Sequence, residues 1–412
     1  MTTRDLFDVV VVGGGPAGAT AAHEVASRGY RTLLLDKAGR IKPCGGAVPP
    51  QLLHDFKVPE EVMVTRMHTA RISSPTRHNI DIPVKDGFIG MVDRGEFDEW
   101  LRERARAAGA ERRTGLFQKL EADGETSVLT YREGNSRQGP ERHVRTRFVI
   151  GADGALSAVA RQALPDEDTH KVTAYHEIVK SPEQWSDTFQ GSRADVIYDG
   201  ALSPDFYAWV FPHGPLTSVG TGTFHQGFDM KAAVATLRRQ TGLDRCETVR
   251  CEGAPIPLAP RKTWDNGRDV VVCGDAAGTV APASGEGIFY AMTGGRHAAT
   301  AVRMALRTGN PAWLRYARRQ FMREHGEVFR ALDWLQRYWY HTDDRRERFV
   351  AICEDVDVQE ITFEAYMRKR LVKARPLAHL KIAMKNIVHL TGMRPAWRTP
   401  APAPQLVASP SR

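Results

Sequence analysis

Three glycines near the start of the chain have the spacing of a dinucleotide-binding loop. Gly13, Gly15 and Gly18 form a Gly-x-Gly-x-x-Gly pattern, and Asp36 follows 18 positions after the last of them. The first glycine permits a tight turn, the second lets the backbone approach a pyrophosphate, and the third lets a helix pack on a strand. Asp36 would accept hydrogen bonds from the ribose hydroxyls of an adenosine. This pattern therefore predicts binding of an adenine dinucleotide.

The segments beside the glycines predict the βαβ unit that must position them. Residues 7–12 form a valine-rich apolar run typical of a buried parallel strand, residues 19–27 have the small side chains of a packed helix, and residues 32–35 form a second apolar strand. The start of the helix would direct backbone N–H groups and a positive dipole towards the phosphates. The predicted dinucleotide site comprises Gly13, Gly15, Pro16, Ala17, Gly18, Asp36 and Lys37.

Two later segments place a carboxylate after an apolar strand. Asp153 lies in the stretch 151–157, and Asp275 lies in the stretch 273–278. A carboxylate in that position can hold a hydroxyl of a sugar alcohol. The helix predicted to start at residues 285–288 offers backbone N–H groups that can stabilise negative charge on a reduced isoalloxazine ring. These segments add Asp153, Gly274, Asp275, Gly285, Gly287 and Ile288 to the predicted site.

The three segments, in this order, resemble the flavoprotein hydroxylase and reductase superfamily with the p-hydroxybenzoate hydroxylase fold. The resemblance implies that the dinucleotide is FAD, that Asp275 contacts the ribityl chain and that Asp153 lies near the pyrophosphate. Arg94, in the stretch Asp93-Arg94-x-x-Phe97-Asp98, matches the arginine that lies close to FAD in that fold.

Aromatic residues alternate along a predicted strand. Tyr207, Trp209 and Phe211 are spaced two apart, so their side chains share one face of the strand. Such a face could form an apolar wall for a long hydrocarbon, or it could be the buried face of an ordinary sheet. Spacing alone favours the second interpretation.

A single cysteine follows the second strand of the βαβ unit. Cys44 precedes Gly45 and Gly46 in the loop predicted to lie nearest the flavin. Its thiol could donate a proton or could be a small buried side chain. We take Cys44, Gly45 and Gly46 as the catalytic candidates, with Cys44 also beside the cofactor.

The aromatic stretch identifies the chain as similar to one family of flavoproteins. Residues 204–212 read Pro-x-x-Tyr-x-Trp-x-Phe-Pro, the isoprenoid-pocket motif of the geranylgeranyl reductase family. Residues 42–49, 72–75, 90–94 and 363–367 resemble the chlorophyll and bacteriochlorophyll branch. The resemblance runs from about residue 8 to about residue 385.

Membership of this family would imply a definite reaction. The expected enzyme uses FAD and NADPH to hydrogenate, step by step, the isolated double bonds of a geranylgeranyl group, ending at phytyl. The group would be carried as geranylgeranyl diphosphate or on geranylgeranylated chlorophyll or bacteriochlorophyll. Tyr207, Trp209 and Phe211 would bind the prenyl chain, and no metal is expected.

The predicted fold class is α/β: a Rossmann-type FAD-binding domain with an inserted antiparallel β-sheet substrate domain and a helical C-terminal region. The predicted boundaries are residues 1–66, 88–170 and 255–310 for the FAD-binding domain, 67–87 and 171–254 for the substrate domain, 311–393 for the helical region, and 394–412 for a disordered, proline-rich tail.

Composition limits the class of protein. The 412 residues are 42% hydrophobic and 26% charged, which is ordinary for a folded domain and excludes wholesale disorder. No run approaches the roughly 18 apolar residues of a membrane span, and no secretory leader is recognisable. The five cysteines are too few and too scattered for a disulfide framework or a Cys-x-x-Cys metal site. We therefore expect a cytoplasmic protein.

The positive charge is concentrated at the C-terminus. The chain has 57 basic and 49 acidic residues, and after Glu364 there are ten basic residues and no acidic one, which accounts for the whole excess. A protein that binds nucleic acid would spread basic charge over its folded body, so no nucleic-acid partner is expected. Apolar residues alternate with these charges, so the segment either holds the protein at the cytoplasmic face of the photosynthetic membrane or packs as a solvated helix.

Three other functions share parts of these patterns. A flavin-dependent hydroxylase of a hydrophobic substrate would have the same FAD segments. Reduction of an archaeal-type lipid or of a quinone side chain is disfavoured by the stretch at residues 42–49. A non-catalytic flavoprotein that carries prenylated pigment is disfavoured because a carrier does not need the intact redox site.

Overall fold

The computed structural model describes residues 6–37, 41–84, 87–167 and 169–360, together with Lys369. The strands in these ranges are β1 (Leu6–Val12), β2 (Thr32–Asp36), β3 (Ala47–Val48), β4 (Met63–Met67), β5 (Thr69–Ser73), β6 (Asn79–Pro83), β7 (Ile89–Val92), β8 (Glu111–Asp123), β9 (Thr126–Glu133), β10 (Glu141–Gly151), β11 (Lys171–Lys180), β12 (Arg193–Ile197), β13 (Ala208–His213), β14 (Leu216–Thr223), β15 (Thr248–Pro257) and β16 (Val270–Val272). The α-helices are α1 (Pro16–Ala26), α2 (Pro50–Phe56), α3 (Arg94–Ala107), α4 (Ala158–Ala163), α5 (Met230–Gln240), α6 (Ile288–Thr308), α7 (Tyr316–Trp339) and α8 (Asp343–Ile352).

A mostly parallel sheet of six strands forms the first layer, as the α/β prediction requires. Its parallel strands lie in the order β8, β2, β1, β10 and β16, and β9 pairs antiparallel with both β8 and β10. Val12 lies opposite both Leu35 and Gly151, and Gly151 lies opposite Val272. The loops that follow β1, β10 and β16 therefore leave the same edge of the sheet, where parallel α/β folds bind their ligands.

Small side chains bring two helices together against this sheet. The βαβ prediction is confirmed, because β1, α1 and β2 follow one another as expected. Most residues of α1 are alanine or glycine and are buried, and α1 packs closely on α6, which has its own buried glycines and alanines. Close helix packing fixes the position of the glycine loop at the start of α1.

The second sheet has seven strands in the order β15, β11, β14, β13, β12, β5 and β6. Most pairs are antiparallel, as predicted, but β12 pairs with β5 in parallel. The segment 171–254 also contains α5, a helix that the strand-rich interpretation missed; it packs on β14 and β11. A small sheet of β3, β7 and β4 lies between the glycine-rich loop after β2 and the start of α3.

The helical region predicted from residue 311 begins with α7 and α8. The predicted proline-rich tail and most of the basic C-terminal segment lie outside the described residues. Within the ranges given above, none of the helices is long and apolar enough to span a lipid bilayer.

Candidate active site

The glycine loop leaves an open approach to the start of α1. Gly13 has φ of 102°, and a Cβ there would lie 2.3 Å from the carbonyl oxygen of Ala152. A Cβ at Gly18 would lie 1.8 Å from the carbonyl oxygen of Gly13. At Gly15, by contrast, a Cβ would meet no atom within 4 Å. This open face at a helix N-terminus, without a capping side chain or an acidic residue in the first turn, fits a pyrophosphate.

Asp36 lies at the end of β2 against this loop. The Asp36 carboxylate contacts the backbone of Gly14, because a Cβ at Gly14 would lie only 2.6 Å from it. Arg102 of α3 reaches both, with Nη1 3.5 Å from Asp36 Oδ2 and 3.3 Å from the carbonyl oxygen of Gly14. Burial raises the pKa of Asp36, while the Gly14 backbone and the Arg102 charge oppose that shift. Sequence reasoning missed Arg102 and placed Lys37 in the site; Lys37 is exposed.

The Asp153 side chain forms hydrogen bonds at the start of α4. Its carboxylate accepts hydrogen bonds from Ser157 Oγ at 2.5 Å and from the backbone N–H groups of Ala158 and Val159 at 2.6 and 3.1 Å. These contacts cap α4, so the side chain holds the loop in place. The backbone of Asp153 lies beside Gly13, where a Cβ would be 2.9 Å from its nitrogen. Asp153 therefore meets the glycine loop through its main chain.

Asp275 lies at the same edge, after β16. Lys42, in the loop that carries Cys44, forms an ion pair with the Asp275 carboxylate. A Cβ at Gly287, just before α6, would lie 3.9 Å from Asp275 Oδ1, and one at Gly274 would lie 2.7 Å from Ala17 Cβ. The stretches predicted from three separate parts of the sequence therefore meet around the start of α1. Ile288 is the first residue of α6, and Gly285 lies three residues before it.

Arg94 is a buried cation next to the catalytic candidate. It is 5% exposed, and its guanidinium binds Asp98 with two contacts of 2.9 and 2.7 Å. Asp93 caps the helix by accepting a hydrogen bond from Gly95 N at 2.7 Å. Burial disfavours the charge of Arg94, but Asp98 and the adjacent Cys44 raise its pKa above its usual value. A permanent positive charge therefore lies beside the Cys44 thiol.

Tyr207, Trp209 and Phe211, hereafter the aromatic row, connect the start of α6 with the Cys44 loop. The Tyr207 hydroxyl donates to the carbonyl oxygen of Ser284 at 2.5 Å, and a Cβ at Gly45 would lie 2.8 Å from Phe211. Ring centroids along the row are 6.0 and 6.3 Å apart. Tyr207 and Trp209 are each 7% exposed.

A polar network fixes the centre of the aromatic row. Trp209 Nε1 donates to Ser218 Oγ at 3.0 Å, and the same oxygen lies 2.9 Å from His176 Nδ1. His176 Nε2 lies 3.0 Å from Glu252 Oε2. Burial would raise the pKa of Glu252, but its hydrogen bond with His176 and the charge of Arg250 bring that pKa below its usual value. The ionised Glu252 carboxylate therefore fixes the orientation of the Trp209 indole through His176 and Ser218.

A cavity of about 170 Å³, hereafter the cysteine cavity, opens beside Cys44. Val64, Ile178 and Leu216 provide much of its apolar lining. Its polar lining comes from Lys42, Cys44, Asp93, Arg94, His213, Arg250 and Glu252. Residues of the seven-stranded sheet, of the small sheet and of the Cys44 loop therefore face one small space at the cysteine.

Besides Arg102, two further functional candidates escaped the sequence analysis. His213 lies two residues after Phe211, so the same period of two that marks the aromatic row could have found it. Glu286, between the predicted Gly285 and Gly287, forms a buried ion pair with Lys369. Burial raises the pKa of Glu286, and Lys369 opposes that shift. No sequence pattern links two residues that are 83 positions apart.

Two protein families match this chain. Residues 53–323 match the FAD binding domain family, and residues 8–69 match the FAD dependent oxidoreductase family. The open start of α1 and the carboxylates after β2 and β16 are the donors and acceptors that FAD requires, so the residues present fit this cofactor.

Curated relatives cover almost the whole chain. The chain is 53% identical over 389 residues to a geranylgeranyl diphosphate reductase of Rhodobacter capsulatus, covering 94% of this chain and 98% of that protein. It is 36% identical over 396 residues to a geranylgeranyl diphosphate reductase of Synechocystis, covering 92% and 96%.

A solved structure shares the fold. A geranylgeranyl bacteriochlorophyll reductase-like protein of Thermoplasma acidophilum superposes with a TM-score of 0.76. It is 21% identical and covers 91% of this chain and 99% of its own. This likeness confirms the predicted fold class.

Proposed function

This chain belongs to the geranylgeranyl diphosphate reductase family of FAD-dependent oxidoreductases, and we propose that it hydrogenates the isolated double bonds of a geranylgeranyl group to give phytyl. The observation that carries the proposal is the convergence of the FAD-binding loops, the Cys44 loop and the aromatic row at one edge of the parallel sheet. NADPH is the proposed reductant. Saturation of each double bond requires two electrons and two hydrogens. The FAD, when bound, supplies both electrons and one of the hydrogens.

The protein must supply the second hydrogen as a proton. An isolated alkene is not polarised by a carbonyl group, so a proton must reach one alkene carbon as the other is reduced. We propose that Cys44 Sγ donates this proton. The Arg94 cation beside Cys44 would stabilise the thiolate that remains, and the Asp98 carboxylate holds that cation in position.

The aromatic row is proposed to hold the prenyl chain. Its rings offer a continuous apolar face between the start of α6 and the Cys44 loop. A face without fixed polar anchors would let the chain slide between successive reductions. It would also exclude water from the double bond beside Cys44.

We expect the Cys44→Ala variant to lose alkene reduction while keeping flavin chemistry. Removal of a general acid typically costs 10²–10⁴-fold in rate, so prenyl turnover should fall by about 100-fold or more. Flavin reduction by NADPH, followed by absorbance, should stay within about twofold because Cys44 takes no part in it.

The matched control is Cys246→Ala, which removes another partly buried thiol that does not line the cysteine cavity. This control should leave both rates unchanged. Unaltered prenyl turnover in Cys44→Ala would remove the thiol from the mechanism. Absence of flavin reduction in the unaltered enzyme would favour a pigment carrier, and oxygen-dependent product formation would favour a hydroxylase.

The prenyl donor is proposed to be either the free diphosphate or the pigment ester. Both present the same hydrocarbon to the aromatic row and differ only in the head group. Purified enzyme is incubated anaerobically with NADPH and each donor in turn. A mass gain of about 2 Da per double bond reduced, seen with one donor only, identifies the substrate.

We also propose that the protein works at the cytoplasmic face of the photosynthetic membrane, held by the basic C-terminal segment. Each basic side chain near an anionic surface contributes about 1 kcal/mol. Replacing Lys373, Arg375, Lys381, Lys385 and Arg394 by Gln should therefore reduce binding to anionic vesicles by about 10³- to 10⁴-fold. This variant keeps Lys369, the buried partner of Glu286, which a truncation would remove.

The binding is measured by flotation with vesicles that contain phosphatidylglycerol. Vesicles of phosphatidylcholine alone are the control, and neither protein should float with them. Equal flotation of the two proteins with anionic vesicles would contradict the anchoring role of this segment.

A further inference from the structure

His213 continues the aromatic row to a polar end. It is the last residue of β13, two positions after Phe211, and it is partly exposed to the cysteine cavity. Both Cys44 and His213 line that cavity, although Cys44 comes from the loop after β2 and His213 from β13 of the seven-stranded sheet. The proposed mechanism so far assigns this imidazole no task.

Backbone groups hold the imidazole ring on both sides. Nδ1 lies 2.9 Å from the carbonyl oxygen of Phe211, so in the neutral ring Nδ1 carries the proton and donates it there. Nε2 faces the cysteine loop, because a Cβ at Gly46 would lie 2.4 Å from it. The carbonyl of Gly45 is a second acceptor that favours a proton on the ring.

Burial keeps the His213 imidazole neutral, while nearby polar groups allow it to accept a proton. Burial lowers the pKa of His213 to about 4, and His176 acts in the same direction. The Phe211 and Gly45 carbonyls and the Asp93 carboxylate act in the opposite direction. His213 is therefore neutral at pH 7. Negative charge appearing in the cavity would favour its protonation, which would give Nε2 an N–H for the Gly45 carbonyl.

The other charged side chains that line the cavity are each engaged by a partner. Arg94 pairs with Asp98, Arg250 with Glu252 and Lys42 with Asp275. Glu252 has a pKa below its usual value, and Asp93 is occupied in capping α3. Among the described residues that line the cavity, His213 is the neutral base that can accept a proton when a thiolate appears beside it.

We propose that His213 is a proton relay that reloads Cys44 between successive double-bond reductions. This inference rests on the proposed function. In each cycle the Cys44 S–H bond breaks, a C–H bond forms on the substrate, and a thiolate remains. Cavity water then gives His213 Nε2 a proton and leaves to solvent as hydroxide. The proton passes from Nε2 to Cys44 Sγ, which restores the neutral imidazole. One solvent proton is consumed per double bond; the electrons come from the reduced flavin.

The His213→Asn variant separates this role from a structural one. Its side-chain amide can still donate to the Phe211 carbonyl but cannot carry a proton near pH 7. Because each proposed cycle begins with the Cys44 S–H bond intact, a single turnover, limited to one double bond per enzyme, should stay within about twofold of the parent rate. Steady-state reduction should fall at least tenfold, and added imidazole, small enough for the space left in the cavity, should restore at least a third of it.

A second histidine variant serves as the control. The variant His54→Asn changes a histidine whose side chain is 87% exposed on α2 and should behave as the parent. Equal losses in single-turnover and steady-state rates, without imidazole rescue, would show that His213 only positions the loop and would overturn the relay. Unchanged steady-state turnover would overturn it as well.

Failure of the proposed function gives a different result. In that case the unaltered enzyme would reduce its flavin but yield no saturated prenyl product, whatever residue 213 is. If His213→Asn does not fold, His213→Gln is measured with the same readouts, and its amide cannot titrate near pH 7 either.

Discussion

The Gly295→Ala variant should be purified largely without FAD. Gly295 lies where α6 crosses α1, and a Cβ there would be 2.2 Å from the carbonyl oxygen of Ala17. Ala17 belongs to the start of α1 and also meets Gly274, so the two loops that hold the cofactor must shift together. Overpacking of this kind costs about 1–3 kcal/mol of unfolding free energy. Flavin absorbance per mole of protein after gel filtration measures the loss.

The neighbouring glycine provides a matched control. A Cβ at Gly294 would lie 3.5 Å from the nearest backbone nitrogen, that of Gly274, an ordinary van der Waals distance. Alanine is also favoured over glycine inside a helix by about 0.5–1 kcal/mol. Gly294→Ala should therefore keep its FAD and its melting temperature. Stoichiometric FAD in Gly295→Ala would contradict the close contact between α1 and α6.

The Arg94→Met variant should be strongly destabilised. Its buried partner Asp98 would lose both of its guanidinium contacts, and breaking a buried ion pair from one side costs about 3–5 kcal/mol. Arg337 and Asp333 form a pair with the same four-residue spacing, but it is exposed. Arg337→Met should cost only about 0–1 kcal/mol. Chemical denaturation of both variants measures the difference.

A double variant separates stability from catalysis at Arg94. Arg94→Met combined with Asp98→Leu removes both buried charges, which often restores stability. Its prenyl turnover should stay low, because no cation remains beside the Cys44 thiol. Full activity in the double variant would show that the Arg94 charge does not assist proton transfer.

Equal stability of Arg94→Met and Arg337→Met would contradict the buried ion pair between Arg94 and Asp98.

The local parts of the site were predictable because each depends on a short stretch of chain. The loop after β1 lies within a βαβ unit of about thirty residues, where hydrophobic runs and glycines specify the turn. The alternation of Tyr207, Trp209 and Phe211 follows from strand geometry alone. Asp93, whose side chain caps α3, is adjacent in sequence to Arg94, the first residue of that helix. In each case the atoms that interact are close in sequence.

The long-range partners could not be predicted in the same way. Lys42 and Asp275 are 233 positions apart, and their ion pair exists only because the loops after β2 and β16 reach one edge of the sheet. Arg102 reaches Asp36 because α3 packs beside the glycine loop. No periodicity encodes such a pairing, since it depends on how separate elements dock.

Local patterns in the chain specify the FAD loop, the strand that carries the aromatic row and the family to which the chain belongs. Three features emerge only from the folded molecule: Asp153 caps a helix, Arg94 is buried beside Cys44, and His213 faces the same cavity. Short-range patterns fix backbone conformation, whereas burial and charge pairing depend on which distant surfaces come together.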